Sequence, residues 1–315
     1  MKTFLLLILC SCCIVSCSDT DNTTSVEPEV SMEDPMNDEE SNDDSSDVTI
    51  LPDVSNVGGV DQQVEDLPDW DLVWEEQFDT NLTAWTAWDS GAFNNEFQKY
   101  TPSNVVLENG YLYLQEKRET VTGFTNPFDP TIETFEFTSG RIETNETYSP
   151  ENLEEGTKLR MSARILLPEG DGLWPAFWSF SDPWPTNGEI DVMEYRGNNT
   201  QQYSTNFFYG STEGQPDTDP GQTTTFINSG GNITTEFHVF EVIWSENELE
   251  IFFDSELVHT FTEAEWGLVD DFYNRFQRIT LNMAVGGDFF SDNLNPDNIP
   301  DEAFTVVDWV RVYKQ

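Results

Sequence analysis

From about Leu67 onward, apolar and polar residues alternate in short runs broken by turn residues, and helical spacing is scarce. A period of two marks a strand with one face buried. "VVLENGYLYLQEK" (105–117) predicts a hairpin turning at Asn109-Gly110, because a two-residue turn of the right hand needs positive φ at both central positions. "FEVIWSENELEIFFDSELVHTF" (240–261) predicts two or three strands, with Phe240, Val242 and Trp244 on one face and Leu249, Ile251 and Phe253 on another. "TVVDWVRVYK" (305–314) predicts a closing strand with Val307, Trp309, Arg311 and Tyr313 on one side, and "TEAEWGL" (262–268) reads as one helical turn. So many short strands over 67–315 fit an all-β, two-sheet β-sandwich.

Composition narrows the function. Lys plus Arg is 13 against 60 Asp plus Glu, a formal net charge of -47. A phosphate backbone needs a basic surface, so nucleic acid is excluded as a partner. The same charge keeps the chain soluble and would repel polyanionic substrates. There are 10 Trp, more than a core of this size needs. Cysteines occur only at Cys10, Cys12, Cys13 and Cys17, which leaves the rest of the chain without a disulfide framework or a thiol nucleophile. The two histidines, His238 and His259, are too few for a His-based metal site, and His238 reads as a packing residue in a strand.

The first residues have a different character. Lys2 precedes an apolar run from Phe4 to Leu9, too short to span a bilayer permanently but suited to a secretory signal. It ends in "IVSC" (14–17), which resembles a bacterial lipoprotein signal. That resemblance implies a signal peptide over 1–16, a lipid on Cys17, and a secreted protein held at the outer membrane by its anchor alone, exposed on the cell surface. Residues 17–66 are acidic and polar, without Lys or Arg, and are expected to form a disordered tether. Deleting 18–65 should then leave the thermal midpoint nearly unchanged, and a monomer is expected.

Candidate chemistry gathers in "NGEIDVMEYRG" (187–197), where Glu189, Asp191 and Glu194 fall within six positions. On a regular strand Glu189 and Asp191 face one way and Glu194 the other. A β-bulge that takes Met193, or a neighbour, as its extra residue would bring all three to one face. Crowded carboxyls raise the pKa of at least one member. A protonated acid beside an ionised carboxylate is the equipment of glycosidic bond hydrolysis. Solvated acids on an edge strand would give the same spacing. The preceding "GLWPAFWSFSDPWPTNG" (172–188) supplies Trp174, Trp178 and Trp184, whose indole faces suit sugar rings.

With these stretches, and with "NNEFQKYT", "TSGRIET", "FHVFEVIW", "LNMAVGG" and "VDWVRVYK" in order, the chain resembles glycoside hydrolase family 16 in its laminarinase-type branch. The resemblance implies a jelly roll with an open substrate cleft and a retaining double-displacement mechanism. It assigns Glu189 as nucleophile, Glu194 as general acid/base and Asp191 as the carboxylate that sets their protonation. Asn95, Arg141, Trp174, Trp178 and Trp184 match sugar-contacting positions, and Phe289 or Phe290 stands where a Trp is usual. The longer spacing points to laminarinases and to agarases or carrageenases. The acidic composition disfavours sulfated galactans, so a neutral β-1,3-glucan is the expected substrate. Agarose and mixed-linkage glucan remain alternatives, as does a non-catalytic glucan-binding lipoprotein. No catalytic cofactor is implied. A structural calcium is, with Glu76, Gly110 and Asp308 at the matching positions. Phe208 occupies a position where relatives carry His.

Overall fold

The computed structural model describes residues 49–150, 157–216, 224–262, 275–290 and 294–315. Cys17, most of the expected tether and "TEAEWGL" beyond Thr262 lie outside them. Residues Leu51–Gln315 form one compact unit. In chain order the strands are β1 (Asp71–Glu76), β2 (Trp85–Ala87), β3 (Gln98–Tyr100), β4 (Val105–Glu108), β5 (Tyr111–Asn126), β6 (Asp129–Ser139), β7 (Arg141–Thr144) and β8 (Leu159–Leu166). They continue with β9 (Leu173–Phe180), β10 (Glu189–Tyr195), β11 (Gln202–Phe208), β12 (Thr225–Asn228), β13 (His238–Trp244), β14 (Glu248–Phe253), β15 (Glu256–Thr262), β16 (Arg278–Val285) and β17 (Glu302–Lys314).

The strands make two sheets. The larger runs β15-β14-β13-β8-β17-β5-β6-β3, with β1 beside β17 and β4 beside β5; the smaller runs β12-β11-β10-β9-β16-β7-β2. Pairing is antiparallel except between β3 and β6. The inner faces close on one core that joins Leu112, Leu114, Met161, Val242 and Trp244 from the large sheet to Phe177, Ile190, Tyr195 and Leu281 from the small one. Because alternate residues face opposite ways, each strand of the small sheet that sends apolar side chains inward sends its other set to the outer face.

The predicted hairpin is β4–β5, with Glu108 opposite Tyr111 and with Asn109 and Gly110 at φ 54 and 79. The segment 240–261 makes β13, β14 and β15. The C-terminal strand departs from expectation. A register shift between Val307 and Trp309 interrupts its alternation, so Val307 joins Val310 and Val312 in the core, and Trp309 and Arg311 belong to the opposite face.

The tether boundary is also corrected. Residues 51–66 lie against the back of the large sheet. Val54 is buried with Tyr113, Phe237 and Val306, and Gly59 forms a bridge to Phe237. β8 and β17 turn Arg164 and Arg311 outward, and the segment receives them. Arg164 Nε donates to the Val60 carbonyl at 2.7 Å, Arg311 donates to the Gln62 carbonyl, and Trp309 Nε1 donates to Asp61 at 3.3 Å. The acidic, turn-rich composition hides three anchors, Leu51, Val54 and Val57, spaced three apart. A hydrogen bond to a charged group contributes about 1.5–3 kcal/mol, and losing 1 kcal/mol lowers the midpoint by about 2–4 °C in a domain of this size. Removing 51–66 should therefore lower the melting temperature by roughly 5–15 °C in calorimetry; an unchanged midpoint would return the segment to a tether.

Candidate active site

β10 lies between β9 and β11, and its pairings place the carboxylates. Glu189 stands opposite Phe180 and Phe208, Asp191 opposite Trp178 and Asn206, and Glu194 opposite Ala176 and Ser204. Directly paired residues share a face, so the three acids point to the outer side of the small sheet. The register slips between Asp191 and Met193 on β9, where Met193 takes Phe177. The residue without a partner there is Val192, not Met193. Val192 and Met193 both enter the core, beside Ile190 and Tyr195. The bulge holds because two consecutive apolar side chains want the interior and the flanking acids do not.

Asp191 is buried, whereas Glu189 and Glu194 are half-buried. Trp184 Nε1 donates to Glu189 Oε2 at 2.8 Å. Burial first, then the neighbouring Glu194, pushes the Glu189 carboxyl up to about 8, against the pull of Trp184 and Arg141. Glu194 is pushed up to about 7 by burial, with the Arg196 charge and Trp174 opposing. The Trp174 indole N–H closes no hydrogen bond of normal geometry, so its help is slight. Asp191 moves furthest, well above the usual carboxylate range, through burial and then the charges of Glu189 and Glu194. Its Oδ2 has no hydrogen-bond partner, as suits a carboxyl that carries a proton. A neutral Asp191 takes one negative charge from beside both glutamates, which then titrate together and share one proton between Glu189 and Glu194.

The surrounding residues fall into three groups. Trp174, Trp178 and Trp184 all come to the acids, but Trp184 does so as a donor to Glu189. Trp178 donates to Asn282 Oδ1 at 2.7 Å and stacks on Phe180 at 4.9 Å. Arg141 is nearly fully buried, paired with Glu143 at 2.6 Å and held 3.6 Å over Trp88 and 4.8 Å over Trp178. It therefore bears on the site through its charge beside Glu189 rather than as an open sugar contact. Asn95, at φ 54, gives its amide to both Asp288 oxygens at 2.9 and 3.0 Å, tying its loop to that of Phe289. Phe289 is a correction. Trp174 stacks on it at 4.0 Å and the Arg196 guanidinium lies 3.4 Å from its centroid, so neither ring face is open to a sugar.

Two of the three residues expected to hold calcium share one hollow. Gly110 and Asp308 border a polar hollow of about 350 Å³ that Glu76 does not line. Glu76 accepts from Phe78 N at 2.9 Å and from Trp85 Nε1 at 3.2 Å, and Asp308 pairs with Arg164 at 2.6 Å. Among the described residues no cluster of three or more His, Cys, Asp or Glu is placed to hold a metal. His238 is a packing residue, stacked on Phe253 at 5.0 Å and bonded to Asp254 at 2.7 Å. Sequence reasoning missed Trp88, which packs on Arg141, and Arg196, which covers Phe289.

A pH profile follows from these directions. Glu194 must hold a proton to give one, and burial keeps a proton on the pair well above the ordinary carboxylate range, so kcat/KM should fall only on the alkaline side of that range. Arg196 lowers the Glu194 pKa, so Arg196→Met should move this alkaline limb to higher pH. A limb that stays in place, or moves down, would detach Arg196 from Glu194.

Two glutamates flanking a buried aspartate on the indole-lined outer face of a β-sandwich define a glycoside hydrolase. The chain belongs to glycosyl hydrolases family 16, whose model matches residues 97–310. It is 33% identical over 242 residues to the glucan endo-1,3-β-glucosidase of Cryptopygus antarcticus, covering 70% of this chain and 82% of that one. It is 28% identical over 284 residues to glucan endo-1,3-β-glucosidase A1 of Niallia circulans, covering 78% of this chain but only 38% of that longer protein. The fold is similar to that of the endo-β-1,3-glucanase of Pyrococcus furiosus, with a TM-score of 0.64 at 28% identity over 78% of this chain and 94% of that one.

Proposed function

We propose that the protein hydrolyses internal β-1,3 linkages of a neutral, laminarin-like glucan with retention of configuration. The observation that carries this is the bulge at Val192, which leaves Glu189 and Glu194 on one outer face on either side of a buried Asp191. In the first step ionised Glu189 attacks the anomeric carbon while Glu194 gives its proton to the departing glycosidic oxygen. The bond to that oxygen breaks and a glycosyl ester forms on Glu189. In the second step Glu194, now a base, takes a proton from water, the hydroxide adds to the same carbon, and Glu189 leaves as carboxylate. The relatives' names support the glucan, as does the charge of -47, which disfavours sulfated chains. Reducing-sugar release from laminarin, with the first anomer read by NMR, tests the reading. The β-anomer should appear first; an α-anomer would mean inversion, and no release from any β-glucan would leave a binding protein.

We further infer attachment to the outer membrane through a lipid on Cys17. Mass spectrometry of the mature protein should find acyl chains there, and a mature chain that begins elsewhere without lipid would refute it.

A further inference from the structure

The small sheet ends at β2, but the row of rings does not. Arg141 lies over Trp178 on one side and Trp88 on the other. Trp88 meets Phe93 edge-on at 6.5 Å, and Phe93 meets Phe128 at 6.0 Å. Phe128 sits at the tip of the β5–β6 hairpin, in the turn Asn126-Pro127-Phe128-Asp129. The Asn126 side chain accepts from Phe128 N and Asp129 N at 2.9 and 3.0 Å and fixes that turn. Phe128 is 81% exposed and Phe93 41%. A pair of rings this open on an otherwise acidic protein points to a binding surface.

The loop that carries Phe93 is pressed onto the hairpin. Gly91 N donates to the Phe124 carbonyl at 2.8 Å, and a Cβ at Gly91 would stand 2.3 Å from the Thr125 carbonyl oxygen. Between loop and hairpin opens a hollow of about 560 Å³, walled by Phe93 and Phe135 and floored by polar groups of Asn95, Thr125 and Glu133. Its lining contains no Lys or Arg. Apolar walls with uncharged and acidic hydrogen-bonding groups suit a neutral sugar and repel a sulfated or uronic one. β7 lies three strands from β10, about 14 Å at the usual spacing, so the hairpin stands roughly three or more sugar rings from Glu189.

We propose that Phe93, Phe128 and this hollow form a distal sugar-binding site that holds the same glucan chain well away from the scissile bond, so that the enzyme favours long chains over short ones. The proposal rests on the glucan reading above, and continuity of the aromatic row with the catalytic face is what names the occupant. Phe128 is exposed at the tip and belongs to neither buried cluster, so Phe128→Ala should leave the fold intact. The test compares kcat/KM on laminarin with that on an aryl β-laminaribioside, which reaches only the subsites next to Glu189. Phe128→Ala should lower the laminarin value about three- to tenfold, mostly through KM, and leave the short substrate alone. Phe128→Trp should restore or exceed the wild-type ratio, and Phe93→Ala should lower it in the same direction. An unchanged ratio, or an equal loss on both substrates, overturns the distal site while wild-type activity keeps the functional reading. A wild type inactive on both substrates sinks that reading and the site with it.

Discussion

Glu189→Ala will abolish glucan hydrolysis, by roughly 10⁴-fold or more, beyond the 10²–10⁴ that general acid–base groups contribute. The carboxylate forms the covalent bond in the first step, so no other residue can take over its part. The structure adds a control. Glu189 is one of three crowded acids, and burial and Glu194 already oppose its ionisation. Removing its charge relieves that repulsion, so Glu189→Gln, whose amide oxygen can still accept from Trp184, should melt no lower than wild type. Loss of activity with an unchanged or raised melting temperature therefore reports chemistry rather than folding. Azide added to the alanine variant should attack from the vacated side and give the α-glycosyl azide from an activated β-glycoside. A β-product would exchange the roles of the two glutamates.

Glu194→Ala should cost about 10²–10⁴-fold on laminarin, whose leaving sugar needs a proton. An aryl glycoside with a good leaving group needs little help, so the glycosyl ester should still form and then accumulate. Its hydrolysis is slow because no base remains to activate water. Azide needs no base and should release it as the β-glycosyl azide. A burst of phenol followed by a slow steady rate, cured by azide, is the expected trace. Equal losses on activated and natural substrates would remove Glu194 from the acid/base role. Losing Glu194 also withdraws a negative charge from beside Glu189 and Asp191, so the acid limb of the residual activity should move to lower pH.

The strands and the acid cluster were legible because both depend on near neighbours in the chain. Alternation predicts β4–β5, and Asn109-Gly110 fixes its turn without reference to anything distant. The three acids announce themselves by density, and a bulge is the simplest way to reconcile their spacing. What stayed hidden depends on partners far along the chain. Only the pairing with Phe177 reveals that Val192 is the odd residue. Phe289 reads as a free ring until Arg196, 93 positions earlier, is seen on its second face. The 51–66 segment reads as tether because its charge is acidic throughout, and its receptors, Arg164 and Arg311, lie more than a hundred residues away. The break in β17 at Asp308 follows from packing against β8, which no local pattern records. The long β5–β6 hairpin had a signal that went unread, the turn sequence Asn126-Pro127-Phe128-Asp129.

The odd residue in β10 has an arithmetic of its own. Strike Val192 from the sequence and the strand reads Glu-Ile-Asp-Met-Glu-Tyr, a strict alternation with all three acids still on one side. The insertion thus preserves parity: it adds a residue to the interior set and none to the exterior one. A chain that lost that residue would not pass through a form whose acid points into the core. What such a step alters is the bend of the backbone, and with it the angle at which Glu194 meets the sugar. The set of acids on the outer face and the curvature of the strand that carries them are therefore separable, and one inserted or deleted residue is enough to change the second without the first.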